Sequence, residues 1–211
     1  MTTEETLSPP WATCFRLAME AVSVGSWAIS SVILNASGDV VSTGRNQLFD
    51  DRPSSSPYRN TLVSHAELNA IAALPPQYHA DKRITLYTTV EPCPMCIGAI
   101  VMSPVRSLCI ASRDPWAGSV SLLTSDRYMQ SKNIKVTWED GITTDVFLYL
   151  HTISQRLRFK DFSHPFYRAL AAQYPDQFRN IDVLEGDSTF MAAFQAGDAD
   201  AVLSRLVCLR Q

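Results

Sequence analysis

The sequence has no apolar run long enough to cross a bilayer, and its first residues do not predict a secretory leader. Residues 1–6 (MTTEET) lack the basic region and the apolar stretch that make up a signal peptide. The pattern favours a protein without a membrane span, in the cytoplasm.

An excess of positive charge is also missing, since 18 Lys and Arg face 21 Asp and Glu, a net charge of -3. Broad electrostatic attraction to nucleic acid is therefore not expected, which leaves only a local basic patch for such a partner. The sequence has no internal repeat and no low-complexity tract. With 211 residues, 46% of them hydrophobic, the chain is long enough for one domain, or for a domain of about 150 residues with an extension.

Cysteine is scarce, and its odd count of five argues against a disulfide framework in a chain without a secretory signal. Cys14, Cys109 and Cys208 lie in apolar surroundings, and we expect them to be small buried hydrophobes. The other two, Cys93 and Cys96, form a C-x-x-C pair, which is typical of metal binding or redox chemistry.

Two short motifs together offer one imidazole, two thiolates and one spare carboxylate. They are His65-Ala-Glu67 and, further along, the run from Pro92 through Cys93 to Cys96. A zinc ion that activates water needs three protein ligands and one open position, and an unligated carboxylate can then move the protons. Cys93 is predicted to cap a helix that opens at Pro94, whose amino terminus favours thiolates.

Other interpretations of the same residues stay open at this point. The cysteine pair alone also suits a thioredoxin-like redox centre. A structural zinc site would need a fourth protein ligand, for which the candidates are His79, His151 and His164. Glu67 also completes a capping box with Ser64, in which its carboxylate merely reaches back to the Ser64 amide.

Hydrophobic periodicity predicts alternating helices and strands, and hence a layered α/β sandwich around one sheet. The predicted helices are 12–24, 64 to just before Pro75, 94–103, 142–159 and 188–209, the last broken near Gly197. The predicted strands are 27–34, 40–43, 84–90, 105–111 and 134–138. Residues 50–60 read as a loop that borders a pocket, and residues 161–187 as a partly ordered stretch with aromatic anchors.

On the motifs at Gly44-Arg-Asn46, Ser64-His-Ala-Glu-Leu-Asn-Ala-Ile71 and Leu86 to Cys96, with Asp114 after the next strand, the chain resembles the cytidine deaminase superfamily. The likeness runs from about Ala12 to Arg158 and points to the branch of tRNA adenosine deaminases and guanine or nucleobase deaminases. The resemblance implies a three-layer α/β/α sandwich around a mixed sheet of about five strands. It also implies a catalytic domain over residues 1–160, a helical extension over 161–211 packed on it, and a homodimer.

By the same resemblance, His65, Cys93 and Cys96 bind Zn²⁺ with a water as the fourth ligand, and Glu67 shuttles the protons of a hydrolytic deamination. Five further residues are candidates for substrate binding: Asn46, the Ala66 backbone, Asp114, Trp27 and Trp116. Ordinary roles compete for several of them. Asn46 and Asp114 suit turns or caps, and the two tryptophans suit the core, although either can stack on a flat heterocycle.

The substrate class has two competing interpretations, a small nucleobase, nucleoside or related heterocycle and a tRNA adenosine. The segment 155–160 (QRLRFK) resembles the basic final helix of the tRNA enzymes. Residues 61–64 (TLVS), residues 26–30 (SWAIS) and the stretch after Asp114 depart from the tRNA family's pattern, and the tail is acidic, so we favour a small substrate. A non-catalytic partner that keeps the fold is less favoured, because Glu67 is present.

Overall fold

A five-stranded mixed sheet forms the centre of the molecule. The computed structural model describes residues 3–50, 52, 58–160 and 163–209. The strands are β1 (Ser30–Leu34), β2 (Val40–Arg45), β3 (Thr85–Val90), β4 (Ser107–Ser112) and β5 (Lys135–Trp138). They lie in the order β2-β1-β3-β4-β5. β1 runs antiparallel to both of its neighbours, whereas β3, β4 and β5 are parallel.

Helices cover both faces of this sheet. They are α1 (Thr3–Thr6), α2 (Pro9–Ser23), α3 (Ala66–Ala72), α4 (Pro94–Met102), α5 (Leu122–Ser125), α6 (Arg127–Gln130), α7 (Gly141–Phe159), α8 (Pro165–Gln173), α9 (Pro175–Gly186), α10 (Ser188–Ala196) and α11 (Ala199–Cys208), with a short 3-10 helix at Pro76–Tyr78. None of the helices in the described ranges is long and apolar enough to span a membrane.

Strand β1 shows why the sheet needs a layer on each side, because all five of its residues are buried. Side chains alternate across a strand. Val32 accordingly joins a buried cluster with Phe15 of α2 and Phe147 of α7. Ile33 joins a separate cluster with Ala70 of α3 and Ile97 of α4. The predicted three-layer α/β/α sandwich is confirmed.

The stretch 161–187 was predicted to be partly ordered, and this is wrong for the part that the structure describes, where α8 and α9 are regular helices. The prolines that favoured an irregular stretch open these helices, since Pro165 and Pro175 occupy first-turn positions. A missing backbone N–H costs nothing there. Residues 161 and 162 lie outside the described ranges. The predicted break near Gly197 is confirmed by its positive φ of 75° between α10 and α11.

The C-terminal helices share one core with α2 and α7. Leu170, Leu184, Phe194 and Leu206 all belong to the buried cluster that contains Phe15. The boundary at residue 160, which separates the deaminase-like part of the sequence from its extension, therefore stays a prediction.

Other differences from the predictions are local. Strand β1 begins at Ser30 rather than Trp27, because the chain before it bonds elsewhere: the Ala28 amide donates to Ser154 Oγ of α7 at 3.0 Å.

Cys14 is buried and Cys109 half-buried, but Cys208 is exposed, so the predicted burial of Cys208 is wrong. It lies on the last turn of α11, and the buried side chains of this helix are those of Val202, Leu203 and Leu206. In the predicted pocket loop at 50–60, residues 51 and 53–57 lie outside the described part of the chain.

Candidate active site

Helix α3 carries the His-Ala-Glu motif, and a single glycine lets it pack directly on strand β2. A Cβ atom at Gly44 would lie 2.2 Å from the Ala66 carbonyl oxygen and 2.3 Å from the Ala70 amide nitrogen. These distances are far below van der Waals contact. Gly44 therefore fixes how closely the first turn of α3 approaches the sheet.

Three side chains from two helix starts converge beside that turn. The Nδ1 atom of His65 lies 3.5 Å from Cys96 Sγ and 3.7 Å from Cys93 Sγ. All three ligand atoms lie within 4.8 Å of one another. One imidazole and two sulfurs are a donor set that zinc prefers, and three ligands leave a fourth position open. The residues present thus fit the predicted zinc ion, and this prediction is confirmed.

The histidines proposed as a fourth ligand make other contacts. His79 Nε2 bonds the Leu74 carbonyl at 3.0 Å, His151 bonds Gln155, and His164 Nδ1 accepts from the Phe166 amide. Within the described ranges, the metal-binding cluster consists of His65, Cys93 and Cys96 alone. A closed structural zinc site is therefore not what these residues form.

The start of α4 favours the thiolate form of its first cysteine. Cys93 is the N-cap, with Pro94 at the first helical position as predicted. Hydrogen bonding with Cys96, followed by that with His65, lowers the pKa of Cys93 to about 4. Burial acts against protonation of His65, but its hydrogen bond with Cys93 and the charge of Glu67 leave its pKa raised overall. The two shifts favour a Cys93 thiolate paired with a protonated His65, whose proton must be released when a metal binds.

Glu67 does not take part in a capping box. The N-cap of α3 is His65 rather than Ser64, and its side chain makes no cap hydrogen bond. Ser64 Oγ instead accepts from Asn69 Nδ2 at 3.2 Å. The carboxylate of Glu67 is buried, and its Oε2 atom lies 3.4 Å from Cys96 Sγ. Burial raises the pKa of Glu67.

A cavity of about 660 Å³ opens onto this cluster. It is lined by His65, Glu67 and Cys93 together with all five residues that the sequence proposed for substrate contact: Trp27, Asn46, Ala66, Asp114 and Trp116. The Asn46 side chain is held by its Oδ1 atom, which accepts from the Leu48 amide at 3.2 Å. In the part of the chain that the structure describes, its Nδ2 group makes no hydrogen bond.

Asp114 and the two tryptophans have structural contacts as well. Asp114 Oδ1 accepts from the amides of Trp116 and Ala117, both at 2.9 Å, so the carboxylate does close a turn. Trp27 contacts Phe49 and Phe159 at ring distances of 5.9 and 5.8 Å, and its Nε1 atom is buried with no acceptor in the described structure. Trp116 is 57% exposed and meets His164 edge to face.

One wall of the cavity was not predicted from the sequence. It consists of residues from α7 and from the beginning of α8: His151, Gln155, Phe159, His164, Phe166 and Tyr167. The spacing of His151, Gln155 and Phe159 at every fourth residue was a usable signal, since polar side chains on an otherwise apolar helix face need an explanation. The α8 residues were missed because their segment was interpreted as irregular.

The basic segment 155–160 is largely engaged within the protein. The Arg156 guanidinium is buried and bonds Asp182 at 2.8 Å and Glu185 at 2.7 Å, both on α9. Arg158 lies over the Phe49 ring at 3.8 Å from its centre. The acidic residues of the tail thus neutralise one of the two arginines that resembled an RNA-binding helix.

Comparison with known proteins agrees with this geometry. Residues 9–112 match the family described as the cytidine and deoxycytidylate deaminase zinc-binding region. A guanine deaminase from Nitrosomonas europaea has the same fold, with a TM-score of 0.52 and 21% identity over 70% of this chain and 85% of that one.

Curated relatives differ in what their names say they do. A tRNA(Ile)-lysidine synthase from Deinococcus radiodurans is 34% identical over 53% of this chain and 19% of its own length. A guanine deaminase from Bacillus subtilis is 31% identical over 46% of this chain and 58% of its own. A tRNA-specific adenosine deaminase from Haemophilus influenzae is 27% identical over 57% and 68%. The chain therefore spans a fifth of the first of these relatives and less than two thirds of the second.

Proposed function

This chain belongs, through residues 9–112, to the cytidine and deoxycytidylate deaminase zinc-binding family, and we propose on that premise that it is a hydrolytic deaminase of small nitrogen heterocycles. Its substrate is a nucleobase, a nucleoside or a related ring that carries an exocyclic amino group, and its product is ammonia. One observation carries the proposal. A buried carboxylate, Glu67, lies 3.4 Å from a sulfur of the metal-binding cluster and faces the same cavity.

In this mechanism His65, Cys93 and Cys96 would hold a zinc ion, whose positive charge would lower the pKa of a water so that it can lose a proton and act as a nucleophile. Glu67 takes the proton from that water and passes it to a ring nitrogen. The water oxygen bonds to the amino-bearing ring carbon. Glu67 then transfers the proton of the resulting hydroxyl group to the amino nitrogen, so that the C–N bond breaks, a carbonyl forms and ammonia leaves. A carboxylate that serves twice must stay off the metal, and burial raises the pKa of Glu67, which favours its holding a proton between the two transfers.

The remaining walls orient the substrate. The Asn46 Nδ2 group donates a hydrogen bond to the ring or to a substituent on it. The Ala66 backbone borders the edge of the ring that carries the amino group. Trp27 and Trp116 offer faces for stacking, and Asp114 keeps one carboxylate oxygen for a donor on the substrate. These roles rest on the family resemblance together with the position of each residue on the cavity wall.

A small substrate is favoured over a tRNA because the segment that resembles an RNA-binding helix is committed to other contacts. Arg156 is paired with Asp182 and Glu185 and is 6% exposed. Phosphate contacts by Lys and Arg supply a large share of the affinity in protein–nucleic acid complexes. The tRNA adenosine deaminase remains the second candidate, supported by the exposed Arg158 on Phe49 beside Trp27 and Phe159, since bases stack on such surfaces.

The test is an ammonia-release panel of free bases, nucleosides and an anticodon stem-loop RNA, each with and without a zinc chelator. We expect release from at least one small heterocycle, lost with the chelator and restored by zinc. Release from the RNA alone would establish the second candidate. Zinc binding without release of ammonia from any of the compounds would indicate a non-catalytic member of the family. A homodimer and a cytoplasmic location stay predictions, and sedimentation checks the first.

A further inference from the structure

The unpredicted wall of the cavity is a stripe along one face of α7. His151, Gln155 and Phe159 stand four residues apart, so they lie above one another on the helix and span about 12 Å. His151 is 2% exposed at the inner end, and Phe159 is 53% exposed at the mouth. The cavity therefore extends along about two helical turns, farther than a single heterocycle reaches.

The polar groups of this stripe are neutral hydrogen-bonding groups. The imidazole of His151 and the side-chain amide of Gln155 are bonded to each other at 2.7 Å. Phe166 of α8 packs edge to face on the His151 ring at 5.4 Å and holds it from the other side. Burial lowers the pKa of His151, which keeps the ring uncharged near neutral pH. Neutral donors and acceptors of this kind suit hydroxyl groups.

Fixed charge in the cavity is negative. Among the described residues that line it, the carboxylates are Glu67, Glu91 and Asp114, and neither Lys nor Arg is present. Glu91 is fixed at the wall, where its Oε1 accepts from the Val120 amide at 3.3 Å. Beyond the metal-binding cluster, a phosphate in this space would meet the carboxylates of Glu91 and Asp114 rather than a Lys or Arg side chain.

We infer that the α7 stripe is a second subsite which holds the sugar of an unphosphorylated nucleoside while the base lies at the zinc cluster. The inference rests on the proposed deaminase function and narrows it, since free bases and nucleotides are then poorer substrates than nucleosides. His151 and Gln155 determine this specificity through hydrogen bonds to the sugar, and Phe159 closes the mouth of the cavity over it.

The experiment compares matched sets of free base, nucleoside and nucleoside 5′-monophosphate for cytosine, guanine and adenine. We expect kcat/KM for the nucleoside of the preferred base to exceed that of its monophosphate and of the free base by about tenfold or more. A free base or a monophosphate that equals or surpasses its nucleoside overturns the inference.

Two variants test the assigned residues. Gln155→Arg places a cation in the subsite. We expect it to lower the ratio of kcat/KM for the nucleoside to kcat/KM for the monophosphate by about tenfold. Gln173→Arg is the matched control, because Gln173 is exposed on α8 and does not line the cavity. His151→Phe keeps a ring against Phe166 and should raise KM for the nucleoside with little change for the free base. An unchanged selectivity in Gln155→Arg contradicts the inference.

Binding separates this inference from the proposed function. Zinc-loaded Glu67→Gln protein is titrated calorimetrically with the same compounds. If no compound releases ammonia from the unaltered protein but nucleosides bind more tightly than monophosphates and bases, the deaminase assignment fails and the subsite stands. If ammonia is released but the order of affinities is reversed, the subsite fails alone.

Discussion

Replacing Gly44 by alanine should damage the zinc cluster without touching any of its ligands. The new Cβ atom would lie 2.2 Å from the Ala66 carbonyl oxygen and 2.3 Å from the Ala70 amide nitrogen. Both atoms belong to helix backbone, so no side chain can rotate away. Restoring contact to roughly 3.4 Å requires α3 to move by about 1 Å from β2.

That displacement carries His65 and Glu67 with it, because both stand at the first turn of α3. A shift of about 1 Å at reacting groups can lower a rate about 100-fold, and overpacking costs about 1–3 kcal/mol of unfolding free energy. We therefore expect Gly44→Ala to lose zinc to a chelator more readily, to release ammonia about 100-fold more slowly and to unfold at lower denaturant concentration.

Gly98→Ala is the matched control. Gly98 lies in α4, two residues after Cys96, and a Cβ atom there meets nothing within 4 Å. Alanine in a helix interior is favoured over glycine by about 1 kcal/mol, so this variant should be as stable as the parent or more so, with normal zinc retention. A Gly44→Ala protein that holds zinc as firmly as the Gly98→Ala protein would refute the reasoning.

Three further outcomes are expected. Glu67→Gln should keep zinc and lose ammonia release by about 10²- to 10⁴-fold, and full activity in a metal-loaded variant would rule out the proton-transfer role. Removing zinc with a chelator should lower the thermal midpoint, with recovery on adding zinc, whereas Cys93→Ser should show a low midpoint that zinc does not restore. Arg156→Met should cost about 1 kcal/mol in chemical denaturation, because it removes the ion pair of the buried Arg156 with Glu185, while the mostly exposed Asp182 can be solvated by water. The exposed Arg168→Met serves as its control, and equal stability of the two variants would contradict the role of the Arg156 ion pairs.

The strands of the sheet and the metal-binding residues could be predicted from the sequence because both depend on local patterns. Apolar periodicity marks each strand of the sheet, and two short motifs supply three zinc ligands and the spare carboxylate. The same local reasoning misjudged α8 and α9. Pro165 and Pro175 are helix openers there, and Leu170 and Leu184 are buried in the same apolar cluster as residues of α2 and α7.

The cavity wall could not be predicted for a related reason. Whether His151 or Gln155 faces a ligand depends on how α7 is rotated against the sheet, which is set by contacts with α2 and β4 far away in sequence. Likewise, the capping box at Ser64 was a valid local pattern, but the approach of α3 to Gly44 begins the helix at Ala66 and leaves Glu67 facing the cysteines. Tertiary packing decided between two locally acceptable structures.

X-ray absorption at the zinc K-edge of the purified protein tests the central claim most directly. We expect two sulfur neighbours at about 2.3 Å and two nitrogen or oxygen neighbours at about 2.0–2.1 Å, from His65 and one exchangeable solvent ligand. Cys96→Ser should then remove one of the sulfurs. A shell with three or four sulfurs, or a second imidazole in place of the solvent ligand, would describe a closed structural site and would contradict the account.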